Sequence, residues 1–150
     1  MDSIYEVMSH DHKRCDLLFS DAENAVNLNQ WHDAEVHLCD FIRAMTRHFD
    51  QEENILFPAF EQATGNRSGP SMMMRHEHQQ MRELMQAMHK ALEKTNREHY
   101  FGLSETLLIF MQQHNMKEEQ ILYPMIDRTC ADQRDELMKN FPPGNHSDVA

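Results

Sequence analysis

Two stretches constrain this chain more than any other feature: "HFDQEENILFPAF" at residues 48–60 and "HNMKEEQILYPMI" at residues 114–126. Each reads as helix, and each sets a histidine four residues before a glutamate, so the two side chains share one helical face. The stretches lie 66 residues apart (114 − 48). At that offset His48 meets His114, Glu52 meets Glu118, Glu53 meets Glu119, Pro58 meets Pro124, and Phe57 meets Tyr123. The same offset lays "MSHDHKRCDLLF" at 8–19 over residues 74–85, pairing Met8 with Met74, His10 with His76, Asp11 with Glu77, and His12 with His78. Polar as well as apolar residues repeat, so coincidence between two amphipathic helices is a poor account. A duplicated helix pair, related by a pseudo-two-fold axis, is a better one.

Four long apolar periodicities follow from the pattern. They predict helices over about Ser3–Leu28, Gln30–Ala63, Ser71–Lys94 and Asn96–Arg128, with a short amphipathic helix over about 132–140. Ser3 and Glu6 form a capping-box signature at the start. "TGNRSGP" at 64–70 is the clearest loop, and "FPPGNHSDVA" at 141–150 reads as an irregular tail. The expected fold is all-α: an up-down-up-down four-helix bundle over about 3–128, within a single domain spanning 1–150. Pro58 and Pro124 each remove a backbone donor, so both helices are expected to bend or end there. Inward stripes include Leu38, Phe41, Met45, Ile55 and Leu56 on the second helix, and Leu103, Leu107, Phe110, Ile121 and Met125 on the fourth.

On a helical wheel His48, Glu52, His114 and Glu118 fall within those stripes. On the first and third helices the histidines at i and i+2 point roughly 200° apart, so only one of each can face the core. His12 and His78 lie closer to their stripes than His10 and His76. The result is four histidines and two carboxylates aimed into one interior. Burying two carboxylates costs several kcal/mol each unless cations compensate them. No lysine or arginine occupies a matching inward position, so bound metal ions are the simplest compensation. Glutamates bridging two ions, with imidazoles on either side, form the donor set of a non-haem di-iron site. The expected metal ligands are therefore His12, His48, Glu52, His78, His114 and Glu118. Asp11, Glu77, Glu53 and Glu119 are expected around them, holding neighbouring histidines. His10, His32, His37, His76, His89, His99 and His146 are expected to be solvated or to lie just around the ligands. The methionines at 72–74, 81, 85 and 88 read as adaptable core, and Cys15 as a buried inert thiol.

Composition narrows the partners. The chain has 25 acidic and 14 basic residues, a formal charge of −11, which disfavours nucleic acid and anionic membrane surfaces. No stretch approaches the length of a membrane span, and the first residues lack a basic-plus-apolar leader. Three cysteines without a metal-type spacing fit reduced thiols. The expected location is cytoplasmic.

The motifs "HFDQEENILFP" and "HNMKEEQILYP", with the single-histidine segments "DHKRCDLLF" and "EHQQMRELM", resemble those of the hemerythrin-like, or HHE cation-binding, family over about residues 4–128. The resemblance implies a four-helix bundle holding two non-haem iron ions with an oxo or hydroxo bridge, the two glutamates bridging. The chain departs from the oxygen-carrying hemerythrins. Those use a fifth histidine one turn from the third-helix ligand, where Met74 and Arg82 stand here, and an aspartate where Glu119 stands. More than one metal position is left open to water, an exogenous ligand, His10, His76 or a tyrosine. The implied function is binding of a small diatomic or oxidant, O2 or NO, for sensing, storage or scavenging. The alternatives are a redox enzyme acting on NO or peroxide, and an iron-handling or iron-sensing protein.

Overall fold

The computed structural model describes residues 2–141. They form seven α-helices: α1 (Ile4–Asn27), α2 (Trp31–Gln51), α3 (Phe57–Thr64), α4 (Pro70–Glu93), α5 (Arg97–Lys117), α6 (Tyr123–Thr129) and α7 (Arg134–Lys139). No strand occurs among the described residues. The predicted tail beyond residue 141 lies outside them. One π-helical turn, Glu52–Leu56, joins α2 to α3, and a second, Glu118–Leu122, joins α5 to α6. The result is four antiparallel rods, α1, α2–α3, α4 and α5–α6. α1 packs on α2 and α5, and α4 packs on the same two helices.

Local chemistry sets the ends. Ser3 Oγ accepts the Glu6 N–H while the Glu6 carboxylate accepts the Ser3 N–H, completing the expected capping box. The next two donors, the Ile4 and Tyr5 N–H groups, reach the Asp127 carboxylate at 2.8 and 3.1 Å, tying the start of α1 to α6. The duplication extends into the turns. Asn29 and Thr95, again 66 apart (95 − 29), both adopt positive φ, at 59° and 48°. Each turn closes with the same bonds: Gln30 N–H to the Ala25 carbonyl and Asn96 N–H to the Ala91 carbonyl, both at 2.9 Å. Two short connections with one backbone conformation make two matching helical hairpins.

The prolines do not end or break their rods. Instead, the turn before each widens. Phe57 N–H bonds the carbonyl of Glu52, five residues back, and Tyr123 N–H bonds that of Glu118. The missing donor of Pro58 leaves the Glu53 carbonyl free to accept from Arg75 Nη1 at 3.1 Å. The extra residue also rotates the face that follows by about 100° relative to an unbroken α-helix. This corrects the predicted stripes. Ile121 is 54% exposed and Ile55 is only half-buried; Leu56 is buried as expected, and Phe57, Leu122 and Tyr123 turn inward.

The apolar core is consequently in two parts. One, towards the two short turns, contains Cys15, Phe19, Leu38, Phe41, Met45, Phe49, Met81, Met85, Met88, Leu107 and Met111. The other, at the opposite end, contains Ile4, Met8, Leu56, Phe57, Phe60, Met74, Leu122, Tyr123 and Ile126. Between them lies a layer of buried polar side chains.

Candidate metal centre

That layer is made of His12, His48, Glu52, His78, His114 and Glu118, all at most 5% exposed. The structure brings together all six expected ligands. His12 and His78 come from the middles of α1 and α4. His48 and His114 come from the last turns of α2 and α5. Glu52 and Glu118 open the two π turns. His10 and His76 point outwards and are exposed, which removes them as candidates for an open metal position.

Each imidazole is gripped from behind. The Nδ1 of His48 lies 2.7 Å from Asp11 and that of His114 lies 2.8 Å from Glu77. The Nδ1 of His12 lies 2.7 Å from Glu119 and that of His78 lies 2.6 Å from Glu53. The pattern obeys the 66-residue offset. An ionised carboxylate can only accept, so each Nδ1 carries the proton and each Nε2 is turned to the centre. Cations hold the outer carboxylates in turn. Arg14 Nε bonds Asp11 at 2.9 Å, Lys117 bonds Glu77, and Arg82 grips both oxygens of Glu53 at 3.0 and 3.1 Å. Phe49 stacks on His78 with ring centroids 4.0 Å apart, and the Arg82 guanidinium also lies over the Phe49 ring, 5.0 Å from its centroid.

The centre itself is crowded with donors of one kind. His78 Nε2 lies 3.0 Å from Glu52 Oε1, His12 Nε2 lies 3.1 Å from Glu118 Oε1, and His114 Nε2 lies 3.2 Å from the same oxygen. Four of these buried atoms, Glu52 Oε1, Glu118 Oε2 and the Nε2 atoms of His78 and His114, make no properly oriented hydrogen bond. Native proteins seldom leave such atoms unsatisfied. Two clusters have atoms spaced to hold a metal ion, one of Glu52, His78, His114 and Glu118, the other of His12, His48 and Glu118. The orphaned atoms and the imidazole–carboxylate chemistry both fit a cation there.

The carboxylates and imidazoles of the layer shift one another's proton affinities. Burial alone would hold all four imidazoles neutral. The adjacent carboxylates outweigh it and raise His12, His48 and His78 above the usual histidine range, and push His114 up to about 10. Glu52, despite its burial, is held well below the ordinary carboxylate range by His48, Glu118 and His78. Asp11 is likewise buried yet lowered to about 2 by His48 and Arg14. Burial pushes the Cys15 thiol up to about 12, which leaves it inert.

A model of the hemerythrin HHE cation-binding domain matches residues 3–126. This chain belongs to the hemerythrin HHE family. An uncharacterized hemerythrin-like protein of Schizosaccharomyces pombe is 27% identical over 152 residues, covering 95% of this chain and 72% of that relative. No solved structure matches the chain. As an HHE-family protein it is a helical bundle whose buried histidine–glutamate cluster is suited to a metal cation. No helix among the described residues is long and apolar enough to cross a membrane.

One residue at the heart of this HHE site was not singled out by its sequence. Tyr123 is fully buried, and its Oη donates to Glu52 Oε2 at 2.6 Å while lying 2.9 Å from Glu118 Oε1. Its signal was present in the repeat: Tyr123 against Phe57 is the place where an aromatic pair differs by one oxygen. The π turn that points it inwards had no sequence signature beyond the proline that follows.

Proposed function

We propose that this protein binds two non-haem iron ions, oxo- or hydroxo-bridged, through His12, His48, Glu52, His78, His114 and Glu118, and that the centre takes up a small diatomic or oxidant. One observation carries the reading: four Nε2 atoms and two glutamates converge in a buried layer, and every Nδ1 is fixed by a carboxylate. Such a layer has no use in an apolar core, where replacing it with packed hydrophobic side chains would cost nothing and often stabilise. It has a use when cations occupy it. The bound iron would supply redox chemistry and a site for an oxygen- or nitrogen-donor ligand.

The chain's own residues define what reaches that ligand. Glu52 and Glu118, placed centrally between the two histidine pairs, would bridge. Phe49 and Phe57 wall the His78 side, and Leu56 and Leu122 lie in the apolar part beyond. Such walls favour a small neutral molecule such as O2 or NO and keep water away from it. Storage, sensing or scavenging of that molecule in the cytoplasm fits these features. Turnover of NO or peroxide is the second reading, and Tyr123 favours it: an oxidisable O–H sits against both glutamates.

Metal analysis with an optical spectrum of the purified protein tests the centre. Two irons per chain, with the bands of a bridged ferric pair, are expected. Fewer than two irons in repeated preparations, and no such bands, would overturn it. Stopped-flow mixing of the reduced protein with O2 or NO separates the two readings. A stable, reversible adduct supports binding, and irreversible oxidation with consumption of NO or peroxide supports turnover.

A further inference from the structure

The two metal-sized clusters are unequal. The His78–His114 cluster has four protein donors, counting Glu52 and Glu118. The His12–His48 cluster has three, with Glu118. Glu52 also reaches the His12–His48 side, its Oε1 lying 3.5 Å from His48 Nε2. What distinguishes that side is Tyr123, which adds an oxygen there. Its Oη lies 3.1 Å from His12 Nε2 and 3.3 Å from His48 Nε2, in the same buried pocket. In the other half the equivalent ring is Phe57, which lies 5.8 Å from His78 between ring centroids and offers only carbon. The π turn Glu118–Leu122 fixes Tyr123 in this position from one end, and full burial among the apolar residues beyond holds it from the other.

We propose that Tyr123 is a ligand of the metal ion held by His12 and His48, so that the centre is asymmetric, with one phenolate-bound iron and one without. The proposal rests on the di-iron reading above. The phenolic proton leaves to solvent as the oxygen becomes a ligand, and no electron moves in that step. A hard, anionic oxygen suits the ferric ion. It also occupies, from within the chain, a position on that ion otherwise left to water or an exogenous ligand.

Phenolate bound to ferric iron absorbs in the visible, and Raman excitation in that band enhances the ring modes of the tyrosine. The test is resonance Raman on the iron-loaded, air-oxidised protein, with iron content and circular dichroism measured on each sample. The wild type is expected to show tyrosinate modes. Tyr123→Phe is expected to keep its helix content and both irons but lose the modes entirely. Phe57→Tyr is expected to add a second set, since it places an oxygen at the equivalent position. The proposal is overturned by a wild type that holds two irons without tyrosinate modes. It is equally overturned by a Tyr123→Phe variant that retains them. A wild type that holds no iron overturns the di-iron reading, and this one with it. Iron content therefore tells the two failures apart. If Tyr123→Phe fails to fold, the wild-type spectrum and the Phe57→Tyr gain still decide the matter.

Discussion

Asp11 offers the clearest test of what the outer carboxylates do. Its side chain accepts from His48 Nδ1 at 2.7 Å and from Arg14 Nε at 2.9 Å, and it is 9% exposed as a residue. Its pKa is lowered from 3.8 to about 2 because the two cations outweigh the cost of burial. A depression of that size corresponds to roughly 2 kcal/mol of stability in the metal-free protein. The same contact raises His48, so the interaction is counted once, from the carboxylate side. Asp11→Asn keeps the shape and removes the charge, so it should lower the stability of the metal-free protein by about that much at pH 7. With a urea dependence of about 1–3 kcal/mol per molar, the unfolding midpoint should fall by about 1 M. Asp21→Asn, at an exposed position on the same helix, should stay within about 0.5 kcal/mol of wild type. The sign with pH is fixed: a depressed carboxylate contributes fully above 3.8 and loses its contribution as pH falls towards about 2. The gap between wild type and Asp11→Asn should therefore be open at neutral pH and narrow below about pH 4. If the two midpoints coincided at pH 7, or if Asp21→Asn cost as much, the charge of Asp11 would not be what holds His48.

His10→Ala and His76→Ala should retain full iron, whereas His12→Ala or His78→Ala should lose at least one ion per chain. Parallel metal analyses would show it, and equal loss in all four would sink the ligand assignment. Phe49→Ala removes a ring stacked on His78 and should cost about 3–5 kcal/mol, read from denaturant midpoints. His114, raised from 6.5 to about 10, contributes fully below pH 6.5 and loses its contribution as pH rises through about 10, so the metal-free protein should weaken from pH 7 to 10. A thermal-melting series on chelated protein checks this, and a melting point flat or rising over that range would contradict it. Loading with a divalent metal near pH 7 should release at least about one proton per chain, from His114 first, measured by titration calorimetry in two buffers of different ionisation heat. Release of fewer than about one would show that the imidazoles were already neutral.

Much of this was legible because the repeat carries its chemistry in the polar positions. The offset of 66 predicted the two hairpins, and the wheel chose His12 and His78 over His10 and His76, which the structure leaves exposed. The pairing of Asp11, Glu77, Glu53 and Glu119 with histidines was also foreseeable, although which acid meets which imidazole was not. Those contacts cross between helices: Glu119 reaches His12, 107 residues away in the chain. The wheel failed only past Glu52 and Glu118. There it assumed an unbroken α-helix and turned Ile55 and Ile121 inwards, whereas a π turn absorbs the proline and delivers Phe57 and Tyr123 instead. Periodicity cannot report an inserted residue that leaves the helix otherwise continuous.

Charge shows how the layer would exchange protons for the proposed ions. Six carboxylates surround the four imidazoles: Glu52 and Glu118 within, and Asp11, Glu53, Glu77 and Glu119 without. Arg14, Arg82 and Lys117 answer three of them, leaving three negative charges when the histidines are neutral. Four protonated imidazoles bring the layer to one positive charge, and so do two divalent ions with neutral imidazoles. Binding is then an exchange of like for like, which a low-dielectric interior tolerates far better than a net change of charge. If both proposed ions were ferric, two further positive charges would have to be balanced. A group inside the layer that can yield a further proton would offset one of them, and Tyr123, hydrogen-bonded to Glu52, is such a group. The halves are not equally provided for. Arg82 clamps Glu53 behind His78, while at the equivalent place behind His12 stands Asp16, whose acidity burial and the neighbouring Glu119 weaken. The His12 side therefore carries more uncompensated negative charge than the His78 side.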